Sequence, residues 1–344
     1  MQFFKLVFFY VLSVSLFPLE SGHNQDTEHC VWLTKPGDRL GDYLLHYIKA
    51  KWVSNKNQLP LFLGASKYYV CLELSDEEVF LFSNPCNENR VVIKNIDENL
   101  DIYNLKENTS FIVKHNNKNI LYEDISFTKG DKEFYSLIKK MVTPAIDLKT
   151  VKPNKDVLSV AIHIRTGKGY DNPLLSEQYF TLFPGLKRKY VNVRSMIMCA
   201  DTFHPDRFPP EIFYCKALQH LSEKLGHPPL YVYLFTDDQN PKELKKRIEE
   251  YVGLGNITFD SREDSGEEIV DVLADFFSIQ NFNYLIRSLG SHFAIAADYL
   301  SDHDLVITSK QRHWEKDCLG KFYLIVDSIN IREGNKEEEV LLKY

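Results

Sequence analysis

The sequence predicts an α/β fold whose C-terminal half is a parallel, doubly wound sheet. Three observations carry this. Short apolar, β-branched runs at 157–164, 230–235, 257–259, 284–286 and 305–307 alternate with helix-period segments at 212–225, 241–252, 267–279 and 291–300. Helix punctuation falls between them: Gly226 and Gly253 at helix ends, and Asn240-Pro241 at a helix start with proline in its first position. At 344 residues, the chain is longer than one domain of ordinary size and suits two.

Taken in order, the chain opens on Lys5 and an apolar stretch at 6–17 that Pro18 ends. That stretch is short for a bilayer span, which needs roughly 20 residues. It predicts a secretory signal peptide, or a short signal anchor with membrane association, over 1–22. A strand at 31–35 leads through Pro36-Gly37-Asp38 to a helix marked by Leu40, Tyr43, Leu44, Tyr47, Ile48 and Trp52. Short strands follow at 59–63, 68–74, 79–82 and 91–96. Runs at 111–114 and 120–122 flank Asn116-Asn117 as a hairpin would. A helix at 132–142 stops before Pro144. The polar segment 144–155 carries two prolines and marks a boundary, giving domains at 30–150 and 151–335. A further strand is expected at 322–326.

Composition excludes some functions. Hydrophobic residues make up 44% and charged residues 26%, the profile of a globular chain. A net charge of −7 argues against nucleic acid as a partner, so an anionic ligand needs a local basic pocket. The charge runs at 242–250 and 337–339 are expected as solvated surface, the second in a frayed tail. The six cysteines include no C-x-x-C pair, which speaks against a zinc site. In an exported chain some would pair, for example Cys71 with Cys86 or Cys199 with Cys215, and buried free thiols fit equally well. Sequons stand at Asn108 and Asn256.

Candidate chemistry gathers in the second half. In an open parallel sheet, ligands bind at the carboxyl ends of strands. His163 and Arg165 end the 157–164 run on one face, and Thr166-Gly167-Lys168-Gly169 follows as a small basic turn. A guanidinium there can grip a diphosphate bidentately. Some 45 residues with little regular pattern follow Arg165, and they hold the carboxylates Asp171 and Glu177. Asp237-Asp238 at the next strand end can bind a metal, hold an arginine, or cap the following helix, and capping is favoured. Asp271 and Asp275 share a helix face. Asp275, among apolar residues, needs a partner such as a guanine edge or an arginine. Ser288-Leu289-Gly290-Ser291-His292 brings amides and a hydroxyl to a helix N-terminus, which serves an anion or simply caps the helix.

In order, these residues resemble the motifs of the GDP-fucose-dependent fucosyltransferase superfamily. His163-Ile164-Arg165-Thr166-Gly167-Lys168-Gly169-Tyr170-Asp171 is similar to the His-x-Arg motif, nearest the nodulation-type α1,6 form. Tyr233-Leu234-Phe235-Thr236-Asp237-Asp238 resembles the second motif. Asp275 through Ser291-His292 resembles the third, and Leu40-Gly41-Asp42 resembles the N-terminal Leu-Gly-Asn segment. The resemblance implies a GT-B-like fold of two Rossmann-like domains, the first on the acceptor side and the second binding the nucleotide sugar. It implies an inverting, metal-independent transfer of fucose from GDP-fucose to a glycan or glycoprotein hydroxyl, with no cofactor. Arg165 would bind the donor β-phosphate, His163 and Asp275 would read the guanine side, and Ser291, with His292 and Lys168 nearby, would hold the diphosphate. The base of the core-fucosylating type falls on Pro173, which leaves Asp171 and Glu177 as candidates. A transferase using another GDP-sugar, or a non-catalytic sugar-nucleotide or glycan binder of the same fold, are the alternatives. The leader implies a secretory-pathway or exported protein.

Overall fold

The structure is a computed structural model. It describes residues 29–33, 39–64, 66, 68, 72, 78–80, 89–92, 109–113, 125, 127–165, 209–238, 240–263, 269–310, 312–316, 322–326 and 328–342. The leader at 1–22 lies outside them. No helix among the described residues is long and apolar enough to cross a membrane.

The first half is a five-stranded sheet in the order β3-β2-β1-β5-β4. Its strands are β1 (His29–Leu33), β2 (Leu61–Gly64), β3 (Glu78–Phe80), β4 (Asn89–Val92) and β5 (Thr109–Val113). Every pairing is parallel. The expected hairpin gives way here: its first arm is β5, paired in parallel to both β1 and β4, while 120–122 lies outside the described residues. Helix α1 (Leu40–Asn57) follows β1 and is buried along most of its length, including Tyr43, Leu44, Tyr47 and Ile48. A helix apolar on more than one face needs cover on more than one face. The sheet supplies one side and the second half of the chain supplies another. Helix α2 (Lys132–Met141) starts at Asp131, whose carboxylate accepts from Phe134 N at 3.0 Å, an N-cap that satisfies an orphan amide.

The second half is a seven-stranded sheet, β14-β13-β10-β9-β6-β7-β8. Strands β6 (Leu158–Ile164), β7 (Leu230–Thr236), β8 (Ile257–Ser261), β9 (Tyr284–Arg287) and β10 (Leu305–Ser309) are parallel. Helices α3 (Glu211–Lys224), α4 (Pro241–Val252), α5 (Ile269–Ile279) and α6 (His292–Tyr299) connect them, close to the expected positions. Helices α3 and α4 pack with Val160, Ile162 and Ile164 on one face. Helices α5 and α6 pack with Ala161 and Leu285 on the other, in a core continuous with α1 and β1 of the first half. Alternation along a strand is what separates the two sets.

At the C-terminus one expected strand is found and one expectation changes. The strand at 322–326, β12, pairs antiparallel with β11 (Arg312–Lys316) as a separate two-stranded ribbon. The run 337–339 is not a frayed tail. It belongs to β14 (Lys336–Leu341), which pairs antiparallel with β13 (Ser328–Glu333) at the sheet edge. It is solvated as expected, and Glu339 is anchored by Ser328 Oγ at 2.6 Å and Lys310 Nζ at 3.0 Å.

Candidate active site

The parallel part of the second sheet winds outward from β6 through β7 to β8, then returns to the other side of β6 with β9 and β10. The winding therefore reverses between β6 and β9. At such a point the loops leaving neighbouring strands diverge to opposite faces, and a crevice opens at the carboxyl edge. The two segments singled out in the sequence border it: His163-Ile164-Arg165 ends β6, and 288–291 connects β9 to α6.

The register fixes which side chains share this crevice. His163 lies opposite Phe235 of β7 and Arg287 of β9. Phe235 and Leu285 belong to the core on the α5/α6 face, so His163 and Arg287 point to that face too. The His163 ring stacks on Phe293 of α6, with centroids 5.3 Å apart, and Phe276 of α5 meets Phe293 edge-on at 5.5 Å. Through this column, the end of β6 rests against the first turn of α6. Arg165 follows on the same face, with its Nε 4.0 Å from Asp237 Oδ2 at the end of β7. Its side chain is only 14% exposed, so the guanidinium sits in a recess where its field is weakly screened.

His163 is buried, and burial, then the Arg165 and Arg287 charges, push its pKa down to about 3. Its imidazole is neutral at any ordinary pH. It offers the crevice a hydrogen-bonding ring rather than a positive charge. Its Nδ1 is buried with no hydrogen-bond partner among the described residues.

Ser291 caps α6, its Oγ accepting from Ala294 N at 3.4 Å. The hydroxyl thus does the capping job the sequence allowed. Arg287 braces the 288–291 turn from below. Its Nη1 donates to Ser288 O at 3.1 Å and its Nη2 to Asp298 Oδ2 at 3.2 Å. Asp298 is fully buried and also takes Arg332 of β13. Burial would raise its pKa, but the Arg287 and Arg332 guanidiniums hold it below the usual carboxylate range. Arg287 was not singled out from the sequence, although Arg-Ser after an apolar strand repeats the logic of His-Ile-Arg.

The first half closes the crevice with the N-terminus of α1. Gly41 lies against the backbone of His292 and Phe293 so tightly that a Cβ there would fall well under 3.0 Å from it. Next to it, His292 Nδ1 donates to Asp42 Oδ1, and His46 Nδ1 lies 2.5 Å from Asp42 O.

The sequence-derived set therefore divides. His163, Arg165, Ser291 and His292 come together at the switch point. Asp275 lies on the neighbouring α5, where Arg262 ion-pairs with it and with Asp271 at 2.8 Å. Its partner in the fold is the arginine, one of the two partners its surroundings called for. Asp238 accepts from Asn240 N at 2.7 Å, and Asn240, not an aspartate, caps α4. Lys168, Asp171 and Glu177 lie outside the described residues. Cys215 is a free buried thiol rather than half of a bridge, and burial and Glu211 push its pKa up to about 12. Cys71, Cys86, Cys199 and Cys318 lie outside the described residues. Among the described residues no three His, Cys, Asp or Glu side chains converge on a metal position.

Solved structures similar to this chain include fucosyltransferases. NodZ α-1,6-fucosyltransferase soaked with GDP-fucose matches at 12% identity and a TM-score of 0.42, covering 87% of this chain and 99% of that one. Fucosyltransferase NodZ from Bradyrhizobium gives the same values. POFUT1 in complex with GDP-fucose matches at 10% identity and a TM-score of 0.42, covering 81% of this chain and 96% of that one. No family model matches the sequence, and no curated protein matches it. At these scores the likeness assigns no role to any residue of this chain.

Proposed function

We propose that the protein is an inverting glycosyltransferase that moves fucose from GDP-fucose to a hydroxyl of a glycan or glycoprotein without a metal ion. One observation carries the reading. Arg165 and the 288–291 turn end neighbouring parallel strands at the point where winding reverses, on the face turned toward the first half.

The chemistry follows from that placement. As the bond to the sugar C1 breaks, negative charge builds on the departing diphosphate. Arg165 and the amides at the start of α6 are fixed donors beside that charge. A recess that excludes water makes each of them stronger. The neutral His163 suits hydrogen bonding to an uncharged part of the nucleotide. With guanidinium and amides neutralising the leaving group, the protein needs no divalent ion. The acceptor enters from the first half. The segment 1–22, as a signal peptide or a signal anchor, directs the chain to the secretory pathway or out of the cell, and as an anchor it keeps the chain membrane-associated.

The test pairs binding with turnover. Calorimetry with GDP, GDP-fucose and GDP-mannose, with and without EDTA, is expected to show GDP binding that EDTA leaves unchanged and a preference for the fucosyl donor. Arg165→Ala is expected to lose at least about 100-fold in turnover, as for one preorganised donor in a transition-state site. Near-normal turnover in that variant defeats the assignment of the crevice.

A further inference from the structure

The pair Asp42–His292 entered the account above as a contact, with His292 expected near the diphosphate, yet its arrangement is that of a reactive dyad. It joins the two halves at the mouth of the crevice. Asp42 comes from the first turn of α1 and His292 is the first residue of α6, directly after Ser291. Resting on the transferase reading, we propose that His292 is the base that takes the proton from the acceptor hydroxyl, and that Asp42 is its positioning residue.

The geometry supplies each requirement. The ring nitrogen Nδ1 is committed to the Asp42 carboxylate, which fixes the tautomer with the proton on Nδ1 and leaves the Nε2 lone pair as the available proton acceptor. Both side chains are mostly but not wholly covered, at 17% and 18% exposure, so the pair is shielded without being sealed from solvent. Asp42 is also held through its backbone carbonyl, beside His46 Nδ1. The backbone contact at Gly41 sets the two helix ends against each other. A carboxylate in the first turn of α1 is favourably placed on that helix. Finally, the dyad lies between the donor crevice and the half that the acceptor approaches.

The step balances. Nε2 takes the hydroxyl proton as the acceptor oxygen forms its bond to the sugar C1. The bond from C1 to the diphosphate oxygen breaks, and its electron pair leaves with GDP. The imidazolium that results is stabilised by the Asp42 carboxylate until its proton passes to solvent.

The test uses the full chain, GDP as the binding probe and GDP release from GDP-fucose as the rate, with melting curves to confirm folding. His292→Ala, His292→Gln and Asp42→Asn are compared with the parent. His292→Ala is expected to lose at least about 100-fold in kcat, the range for one acid–base group, a loss well beyond any change in its GDP affinity. Free imidazole is expected to restore at least about tenfold of that loss, a response that removal of a merely structural side chain does not give. Asp42→Asn is expected to lower kcat with the donor KM little changed. Should His292→Ala not fold, His292→Gln, which keeps a polar side chain of similar reach, carries the comparison. Parental turnover in a folded His292 variant, or a loss wholly in donor affinity, overturns the dyad. A parent protein that binds no GDP overturns the transferase reading instead, and calorimetry shows that before any variant is made.

Discussion

Gly41→Ala sets two opposing effects against each other, and the structure decides between them. Alanine is the better helix former, by about 1 kcal/mol in a helix interior and less in the first turn, where Gly41 stands. Against this, the added Cβ meets the backbone of His292 and Phe293 well inside 3.0 Å. Backbone atoms on both sides have no rotamer to change, so α1 must move away from α6. Overpacking of this kind costs roughly 1–3 kcal/mol, occasionally more. The clash outweighs the propensity gain, leaving a net loss of about 1–2 kcal/mol. The shift is about 2–4 °C per kcal/mol for 150–250 residues and smaller for a longer chain, so the melting temperature should fall by roughly 1–4 °C. Differential scanning calorimetry on Gly41→Ala beside Gly255→Ala provides the assay. Gly255 has nothing within 4 Å of its virtual Cβ, and its substitution should leave stability within about 0.5 kcal/mol. Because the displaced α1 carries Asp42 with it, turnover should drop together with stability. A Gly41→Ala protein that melts at or above the parental temperature refutes the close approach.

The buried charges give two further tests. Asp298→Asn leaves Arg287 and Arg332 facing a neutral amide in the interior and should cost about 3–5 kcal/mol, measured by urea unfolding. The folded carboxylate has a depressed pKa, so its contribution is present above the ordinary carboxylate range and is lost as pH falls through the folded value; the gap between parent and variant should narrow in strong acid. His163 also titrates lower in the folded state, at about 3, while the unfolded chain takes its proton near the ordinary histidine value. Its contribution is therefore complete above about pH 6.5 and is lost as pH falls toward about 3, at about 1.4 kcal/mol per unit. His163→Phe keeps the stack on Phe293 and should flatten the urea midpoint across that window, while an unchanged slope would show that His163 is not held neutral.

How much of this was legible in the sequence depends on where the cause of each feature lies. Strands β6, β7, β9 and β10 were legible because a strand buried on both faces reads as an unbroken apolar run, and the edge strand β8 because its apolar residues alternate. Their helices carry local punctuation: Pro241 at a start, Gly253 in the left-handed conformation at an end, and Ser291 as a cap. Strand β14 was not legible, since Lys-Glu-Glu-Glu-Val-Leu has no apolar run. Its only local signal was Gly334 at φ 58°, the turn residue that lets β13 fold back on it. The parallel first sheet was hidden for a related reason. Asn116-Asn117 suggests a hairpin, while β5 finds its partners in β1, 80 residues earlier, and in β4. The site divides along the same line. Arg165 and Ser291 announced themselves through a strand end and a helix start, each a matter of a few neighbouring residues. The partner of His292 lies 250 residues away, and no periodicity spans that distance. What brings Asp42 to His292 is where α1 lands on α6, and that depends on one absent side chain at Gly41. In the sequence this glycine resembles any other near a helix start. In the fold it is the contact that allows two halves to share one crevice.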